Sequence, residues 1–419
     1  MQVFERVESE VRSYCRSWPT VFTTASGSRL KDENGQSYID FFAGAGSLNY
    51  GHNHPVIKQA LMDYLADDNI IHGLDKYTVA KREFLESFEE IILQPRNLDY
   101  KVMFPGPAGN NAVEAALKLA RKYTGRETVI SFTNGFHGMT LGALAVTGNS
   151  MKRGGAGVPL NNVATMPYDN YMDGQMPDFL WLRSLLEDSG SGLDQPAAVI
   201  VETVQGEGGI NVASDEWLRG LQEVCREYGI LLIVDDIQMG CGRTGPFFSF
   251  ERAGIQPDIV TISKSLSGLG LPFALTMMRR ELDVWEPGEH NGTFRGFNPA
   301  FVTAKAALET FWRTDELANS VQQTGEWLDG QLKELITDYA SLNMSTRGEG
   351  LARGLVFENP EHASKVCSEA FQHGLLMESA GAEDEVVKFL PPLTTSDAEF
   401  KEGVGILADS VATVGKEAQ

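Results

Sequence analysis

A chain of 419 residues with 42% hydrophobic and 22% charged side chains can bury a core large enough for two or three domains, and its composition is that of an ordinary folded protein. A net charge of −22 and an isoelectric point near 4.7 exclude nucleic acid and anionic membrane as default partners, and read either as those of an ordinary soluble cytoplasmic protein or, preferably, as adaptation to a salty interior or habitat. No apolar run approaches the roughly 18 residues of a membrane span, the charged start MQVFERVESEVRSYCRSW is not a signal peptide, and Cys15, Cys225, Cys241 and Cys367 show no metal-ligand spacing, so a reducing cytoplasm is expected.

The chain opens with an amphipathic helix expected over residues 4–17, then a β-like segment broken by Gly27 and Asn34-Gly35, then a strand over 38–42. His52 and His54 flank a turn with no carboxylate or cysteine at ligand spacing, which favours a structural role over a metal site. Helical periodicity covers 55–65 and 79–93. The turn Phe104-Pro105-Gly106-Pro107-Ala108-Gly109 then feeds a strong alanine- and leucine-rich helix, with Asn110 or Asn111 as expected N-cap. A glycine turn entering a helix presents free N–H groups and a positive dipole end that suit a phosphate, although such turns are common.

Residues 128–132 read as a strand ending at Asn134-Gly135-Phe136-His137-Gly138, and 150–175 as a long irregular excursion. Buried strands follow at 197–202, ending on Glu202 and Gln205-Gly206-Glu207-Gly208-Gly209, and at 231–234, ending on Asp235 and Asp236. Further strands are expected at 258–263, running into Lys264, and at 273–278, with a helix over 217–228. Strands alternating with helices from about 100 to 280 predict an α/β fold with a mostly parallel sheet, whose ligand lies beyond the carboxyl ends of the strands. The motifs at 135–138, 202–209, 235–240 and Lys264 all fall at such ends. Beyond about 310 the expected pattern is a helix over 321–339, a strand over 355–358, a helix over 360–373 and a strand over 386–393, which reads as a smaller α+β domain.

Lys264, between an apolar strand and the turn-like SLSGLGLP, is placed to be partly desolvated, which lowers its pKa and makes it a nucleophile and base. Asp235 and Asp236 could form an acid/base dyad or a solvated pair, but neighbours on a strand point to opposite faces. One aspartate facing a cofactor fits better. A strand-end aspartate and a lysine at the end of the next strand suit pyridoxal phosphate, the lysine holding its aldehyde and the aspartate keeping the pyridine nitrogen protonated.

VDDIQMGCGRTG followed by TISK resembles the class III (ω-amino group) aminotransferases, and co-linear motifs extend the likeness over nearly the whole chain: YIDFFAGAGSLNYGHNHP, NNAVEAALKLARK, NGFHGMTLGALA, VIVETVQGEGG, NGTFRGFNPA, RGEGLARGL and KFLPPLT. Within the class, PAGNNAVEAA, SKSLSGLGLPFA and NGTFRGFN resemble most the branch that makes 2,4-diaminobutyrate for ectoine. The resemblance implies the type I fold of pyridoxal-phosphate transferases: a large domain (56–310) on a mostly parallel seven-stranded sheet, and a small α+β domain built from 1–55 and 311–419. It implies ping-pong transfer of the amino group of L-glutamate to L-aspartate 4-semialdehyde. Lys264 would carry the cofactor, Asp235 pair with its ring nitrogen, Ile237 and Phe136 pack on the two ring faces, and Gln238 reach the phenolic oxygen. Gly109 and Asn110 would hold the phosphate, with His137 and Glu202 in the same site. Thr293 would reach the phosphate of a neighbouring subunit, so a homodimer with shared sites is expected, with pairing into tetramers left open. Potassium dependence is common in the branch, and no motif locates such a site. Acting on ornithine, 4-aminobutyrate or a siderophore precursor is the rival activity; a non-catalytic pyridoxal-phosphate-binding regulator is a remote one.

Two positions depart from the family pattern. The arginine that often follows Phe-His-Gly is Met139, and the family's switch arginine before Pro-Pro-Leu is Lys388, whose expected partner is Glu207. Lysine is a point charge that cannot make the bidentate arginine contact. The expectation is a movable Lys388–Glu207 pair with Lys388 released when glutamate or 2-oxoglutarate binds. Arg295 is a second candidate for a substrate carboxylate, and Arg347 is read as structural.

Overall fold

The computed structural model describes residues 2–174 and 178–417; residues 1, 175–177 and 418–419, some of which fall in segments named above, lie outside the described residues. In place of one helix over 4–17 there are two short ones, Gln2–Val7 and Tyr14–Ser17, neither burying a residue. The apolar stripe has nothing to pack on, Val7 and Val11 being 74% and 87% exposed, and Arg12 turns back to the carbonyls of Glu8 and Ser9.

In chain order the strands are β1 (Phe22–Ser26), β2 (Arg29–Asp32), β3 (Ser37–Asp40), β4 (Tyr100–Met103), β5 (Val129–Phe132), β6 (Val163–Met166), β7 (Ala198–Val201), β8 (Val204–Gln205), β9 (Asn211–Val212), β10 (Leu231–Asp235), β11 (Ile259–Ile262), β12 (Leu275–Arg279), β13 (Met344–Glu349), β14 (Ala352–Phe357), β15 (Leu375–Leu376), β16 (Glu378–Ala380) and β17 (Val386–Phe389). Seven form the central sheet in the order β4-β12-β11-β10-β7-β5-β6. Pairing is parallel from β11 through to β6, while β12 runs antiparallel to both its neighbours. The fold is therefore α/β with a mostly parallel sheet.

The buried strands read as apolar runs because both faces are covered. Leu231, Ile233 and Ile259 pack with Val113, Ala116, Leu117 and Ala120 of the helix Gly109–Thr124, whereas Leu232, Val234, Val260 and Ile262 belong to the core on the other face. The alanines of that helix let it lie close to the sheet, with Thr276 Oγ1 donating to the Ala112 carbonyl at 3.0 Å. Its N-cap is Ala108; Asn111, one of the two expected caps, sits inside the first turn and accepts from the Ala108 N–H at 3.1 Å.

Two edge strands were absent from the expected pattern. β4 carries the exposed Lys101, and β6, inside the supposedly irregular 150–175 excursion, is only half-buried, so neither shows the apolar run of an inner strand. That excursion also holds the helix Ser150–Arg153. The final helix, Asp397–Glu417, was likewise unexpected, although Phe400, Val404, Leu407, Val411 and Val414 give it a helical stripe.

Two four-stranded sheets and the antiparallel pair β8-β9 make up the remaining sheet structure of the described residues. In β1-β2-β3-β15, Leu375 and Leu376 pair in parallel with Ile39 and Asp40, joining the two ends of the sequence. In β13-β14-β17-β16, the polar β13 buries Met344 and little else, which hides it from a periodicity reading. Arg347 on β13 donates to the Gly209 carbonyl at 2.8 Å and ties this sheet to the loop after β8.

Candidate active site

A cavity of about 410 Å³ opens at the carboxyl ends of β5, β7, β10 and β11. Its lining includes Gly109, Asn110, Phe136, His137, Met139, Glu202, Glu207, Asp235, Ile237, Gln238 and Lys264. Alternation along β10 sends Asp235 to the cavity, on the side of Leu231 and Ile233, and Asp236 to the opposite side. There Asp236 accepts from the Ser249 N–H at 3.0 Å and from the Ser249 hydroxyl, and it closes no dyad. Burial pushes its carboxyl up to about 7.

The Asp235 carboxylate is held by three groups. Oδ2 lies 2.7 Å from His137 Nδ1, and Oδ1 accepts from the Ile237 N–H at 3.2 Å and the Thr261 hydroxyl at 3.3 Å. Burial works against protonation of His137, but the Asp235 carboxylate outweighs it and raises the imidazole above its ordinary value. Glu202 accepts from the N–H groups of Phe136 at 2.8 Å and Gly206 at 3.3 Å, which fixes the turn carrying the Phe136 ring. Lys152 Nζ lies 4.4 Å from the centroid of that ring. Burial, reinforced by the neighbouring Asp235 charge, raises Glu202 to about 7.

Lys264 begins the short turn Lys264–Ser267 with φ of 49°, in the left-handed region. Its Nζ donates to the Ala45 carbonyl at 2.9 Å, and burial lowers its pKa from the ordinary lysine value. Ala45 lies in a run of four positive-φ residues with Ala43, Gly44 and Gly46, a strained loop that turns this carbonyl toward the cavity. Gln238 Nε2 donates to the same carbonyl at 3.0 Å and to Glu207 Oε1 at 3.1 Å, leaving Gln238 Oε1 buried without a partner.

Behind the wall formed by Glu207, Lys388 Nζ lies 2.8 Å from Glu207 Oε1 and 2.8 Å from Glu378 Oε1. Burial opposes the charges of both Glu207 and Lys388. Even so, the Lys388 and Lys264 ammoniums keep Glu207 below the usual carboxylate range, and the two carboxylates keep Lys388 above the usual lysine range. Besides Lys388, which lies behind Glu207, two further expected residues are not brought to the cavity of their own chain. Thr293 is exposed on the turn Thr293–Gly296, and Arg295, the second candidate for a substrate carboxylate, is engaged by Asp75 Oδ2 at 2.6 Å. His52 and His54 also stay outside, His52 bonded to Asp40 Oδ2 at 2.7 Å and His54 packed on Phe311.

A model of the aminotransferase class-III family matches residues 13–411. The chain belongs to the class-III aminotransferases. Among its relatives, a diaminobutyrate–2-oxoglutarate transaminase of Nocardia farcinica is 63% identical, covering 98% of this chain and 94% of the relative. One of Halalkalibacterium halodurans is 57% identical over 98% of this chain and 96% of the relative. The crystal structure of an ornithine aminotransferase from Toxoplasma gondii superposes with a TM-score of 0.86 at 27% identity, covering 99% of this chain and 95% of that one.

Pyridoxal phosphate is the cofactor of this aminotransferase, and the residues fit it. The cavity is of cofactor size, and Gln238 Oε1 is a buried acceptor without a donor. Gly109 lets the helix start close to Ile237: an added Cβ would stand 3.0 Å from Ile237 Cδ1. Two members of the site had no signature in the sequence. A backbone carbonyl such as that of Ala45 carries no residue-type signal, and the approach of Glu378 to Lys388 depends on strand register.

Proposed function

We propose that this aminotransferase moves the amino group of L-glutamate to L-aspartate 4-semialdehyde, giving L-2,4-diaminobutyrate and 2-oxoglutarate, as a step toward ectoine. The observation that carries the chemistry is the convergence of Lys264 and Asp235, from adjacent strand ends, on one cavity. The names and the 57–63% identities of the relatives support the substrates. When bound, pyridoxal phosphate supplies an aldehyde for the amine and a ring that absorbs the electron pair left on the substrate carbon. Gly109 and Asn110 would hold its phosphate, Ile237 and Phe136 its two ring faces, and Gln238 its phenolic oxygen.

Asp235, fixed by His137, keeps a proton at the ring nitrogen. Lys264, part-buried and with its pKa lowered by desolvation, would accept a proton from the substrate carbon and return it to the cofactor side. Glu207 and Lys388 form the carboxylate gate. Glutamate carries a carboxylate on the carbon bearing its reacting amine, whereas the terminal amine carbon of diaminobutyrate carries none. The Glu207–Lys388 contact therefore opens for the first substrate and stays closed for the second.

We propose further a cytoplasmic homodimer in which Thr293, beside the 62% exposed Phe294, reaches the partner's phosphate, with Arg295 held near the same interface. The small domain comprises 1–55 and 311–419 around a large domain of 56–310. The amino-acceptor profile with L-glutamate, measured with and without potassium, tests the assignment. Preference for L-aspartate 4-semialdehyde, with potassium stimulation, is expected. Preference for the aldehydes derived from ornithine or 4-aminobutyrate would replace it.

A further inference from the structure

The two carboxylates that meet Lys388 are unequal. Glu378 and Lys388 are direct cross-strand partners in the β16–β17 ladder, so sheet register sets their contact. Glu207 arrives from the loop between β8 and β9, its backbone carbonyl tied to the Gly381 N–H at 3.1 Å. Side-chain exposure separates the three groups: Lys388 is 0% exposed, Glu378 8% and Glu207 22%. Of the three, Glu207 alone lines the cavity.

A fully enclosed ammonium left without a counter-ion is strongly disfavoured. A gate made only of Lys388 and Glu207 would strand that charge whenever the contact opened. The second carboxylate removes the problem, because Lys388 keeps one partner while the other departs. If the incoming substrate carboxylate takes the position of Glu207, Lys388 faces two carboxylates before and after the exchange. Glu207 Oε1 also accepts from the Gln238 amide at 3.1 Å, a second partner beside Lys388.

We propose that Glu378 is the positioning residue of the carboxylate gate, holding Lys388 in place while the Glu207 side chain moves aside for the carboxylate on the reacting carbon of the donor. The inference rests on the reading of Lys388 and Glu207 as that gate. It reverses the expectation that Lys388 is the released member: the lysine is the fixed cation and the glutamate moves.

The test is Glu378→Gln in the pyridoxal-phosphate-loaded enzyme, with each half-reaction followed in single turnovers against L-glutamate and against L-2,4-diaminobutyrate. The apparent dissociation constant for glutamate should rise about tenfold or more, as expected when a buried ammonium loses one of its two counter-ions, with the limiting rate little changed. Both constants for diaminobutyrate should hold within about twofold, since loss of one gate carboxylate leaves its contacts intact. Glu378→Asp should recover most of the glutamate affinity, and if Glu378→Gln does not fold, a glutamate-selective weakening in Glu378→Asp decides the matter. Unchanged glutamate affinity, or equal weakening toward both substrates, would overturn the role of Glu378. Lys388→Ala separates the two levels. If it impairs the glutamate half-reaction while Glu378→Gln does not, the gate stands and this inference falls; if Lys388→Ala leaves glutamate unaffected, the gate itself is wrong.

Discussion

The floor of the cavity and its proposed carboxylate gate use the same residue types in different ways. The floor sets Asp235, His137 and Lys264 at the ends of parallel strands of one sheet, where the backbone fixes each position. The gate brings Glu207, Glu378 and Lys388 together from the loop after β8 and the small β16–β17 sheet. In the floor, a histidine and a carboxylate hold each other still. In the gate, one cation is shared between a fixed carboxylate and one that faces the cavity. Rigid strand ends suit a group that must keep a proton at one atom, whereas a site that admits two differently charged substrates needs a partner free to leave.

Substitutions should separate the two regions, beginning with the floor. Lys264→Ala is expected to abolish turnover and the absorbance of the lysine-bound cofactor, and retention of both would remove Lys264 from its role. Asp235→Asn should lower kcat for both half-reactions by about 100-fold or more, because it removes the charge that keeps the ring nitrogen protonated. Cofactor content measured after gel filtration would separate that loss from simple release.

At the gate, Lys388→Ala should slow the glutamate half-reaction by about 10- to 100-fold, the range of a charge-assisted contact, with a much smaller effect on diaminobutyrate. An equal effect on both substrates would merge the two regions into one structural unit.

The smallest expected effect concerns pH. Burial, first, and then the Asp235 charge raise Glu202 to about 7 from an ordinary value of 4.5. The folded protein therefore binds this proton more tightly than the unfolded chain. The associated stability is full below pH 4.5 and is lost as pH rises through about 7, an effect on the order of 3 kcal/mol. Thermal unfolding of the cofactor-stripped protein should show falling stability across that window. Glu202→Gln should flatten the fall, with Asp236, also raised to about 7, sustaining part of it.

The same contrast explains what the sequence made legible. The inner strands announce themselves as apolar runs, and their ends carry the motifs at 135–138, 202–209 and 235–240, so the floor could be read residue by residue. The edge strands β4 and β6 and the polar β13 lack that signature. The gate was half legible: Lys388 and Glu207 stand in recognisable motifs, but Glu378 reaches Lys388 only through hairpin register, and the strained loop at Ala45 contributes a carbonyl rather than a side chain. Asp235 and Asp236, adjacent and chemically identical, were separated by strand alternation, one facing the cavity and the other bonded to Ser249.

The most direct measurement is the absorbance of the cofactor-loaded protein through one complete cycle. Adding L-glutamate alone should convert the aldehyde form of the cofactor to its amine form, and L-aspartate 4-semialdehyde should then restore the aldehyde form with release of one equivalent of L-2,4-diaminobutyrate. A cofactor spectrum unmoved by either L-glutamate or L-2,4-diaminobutyrate would contradict the account.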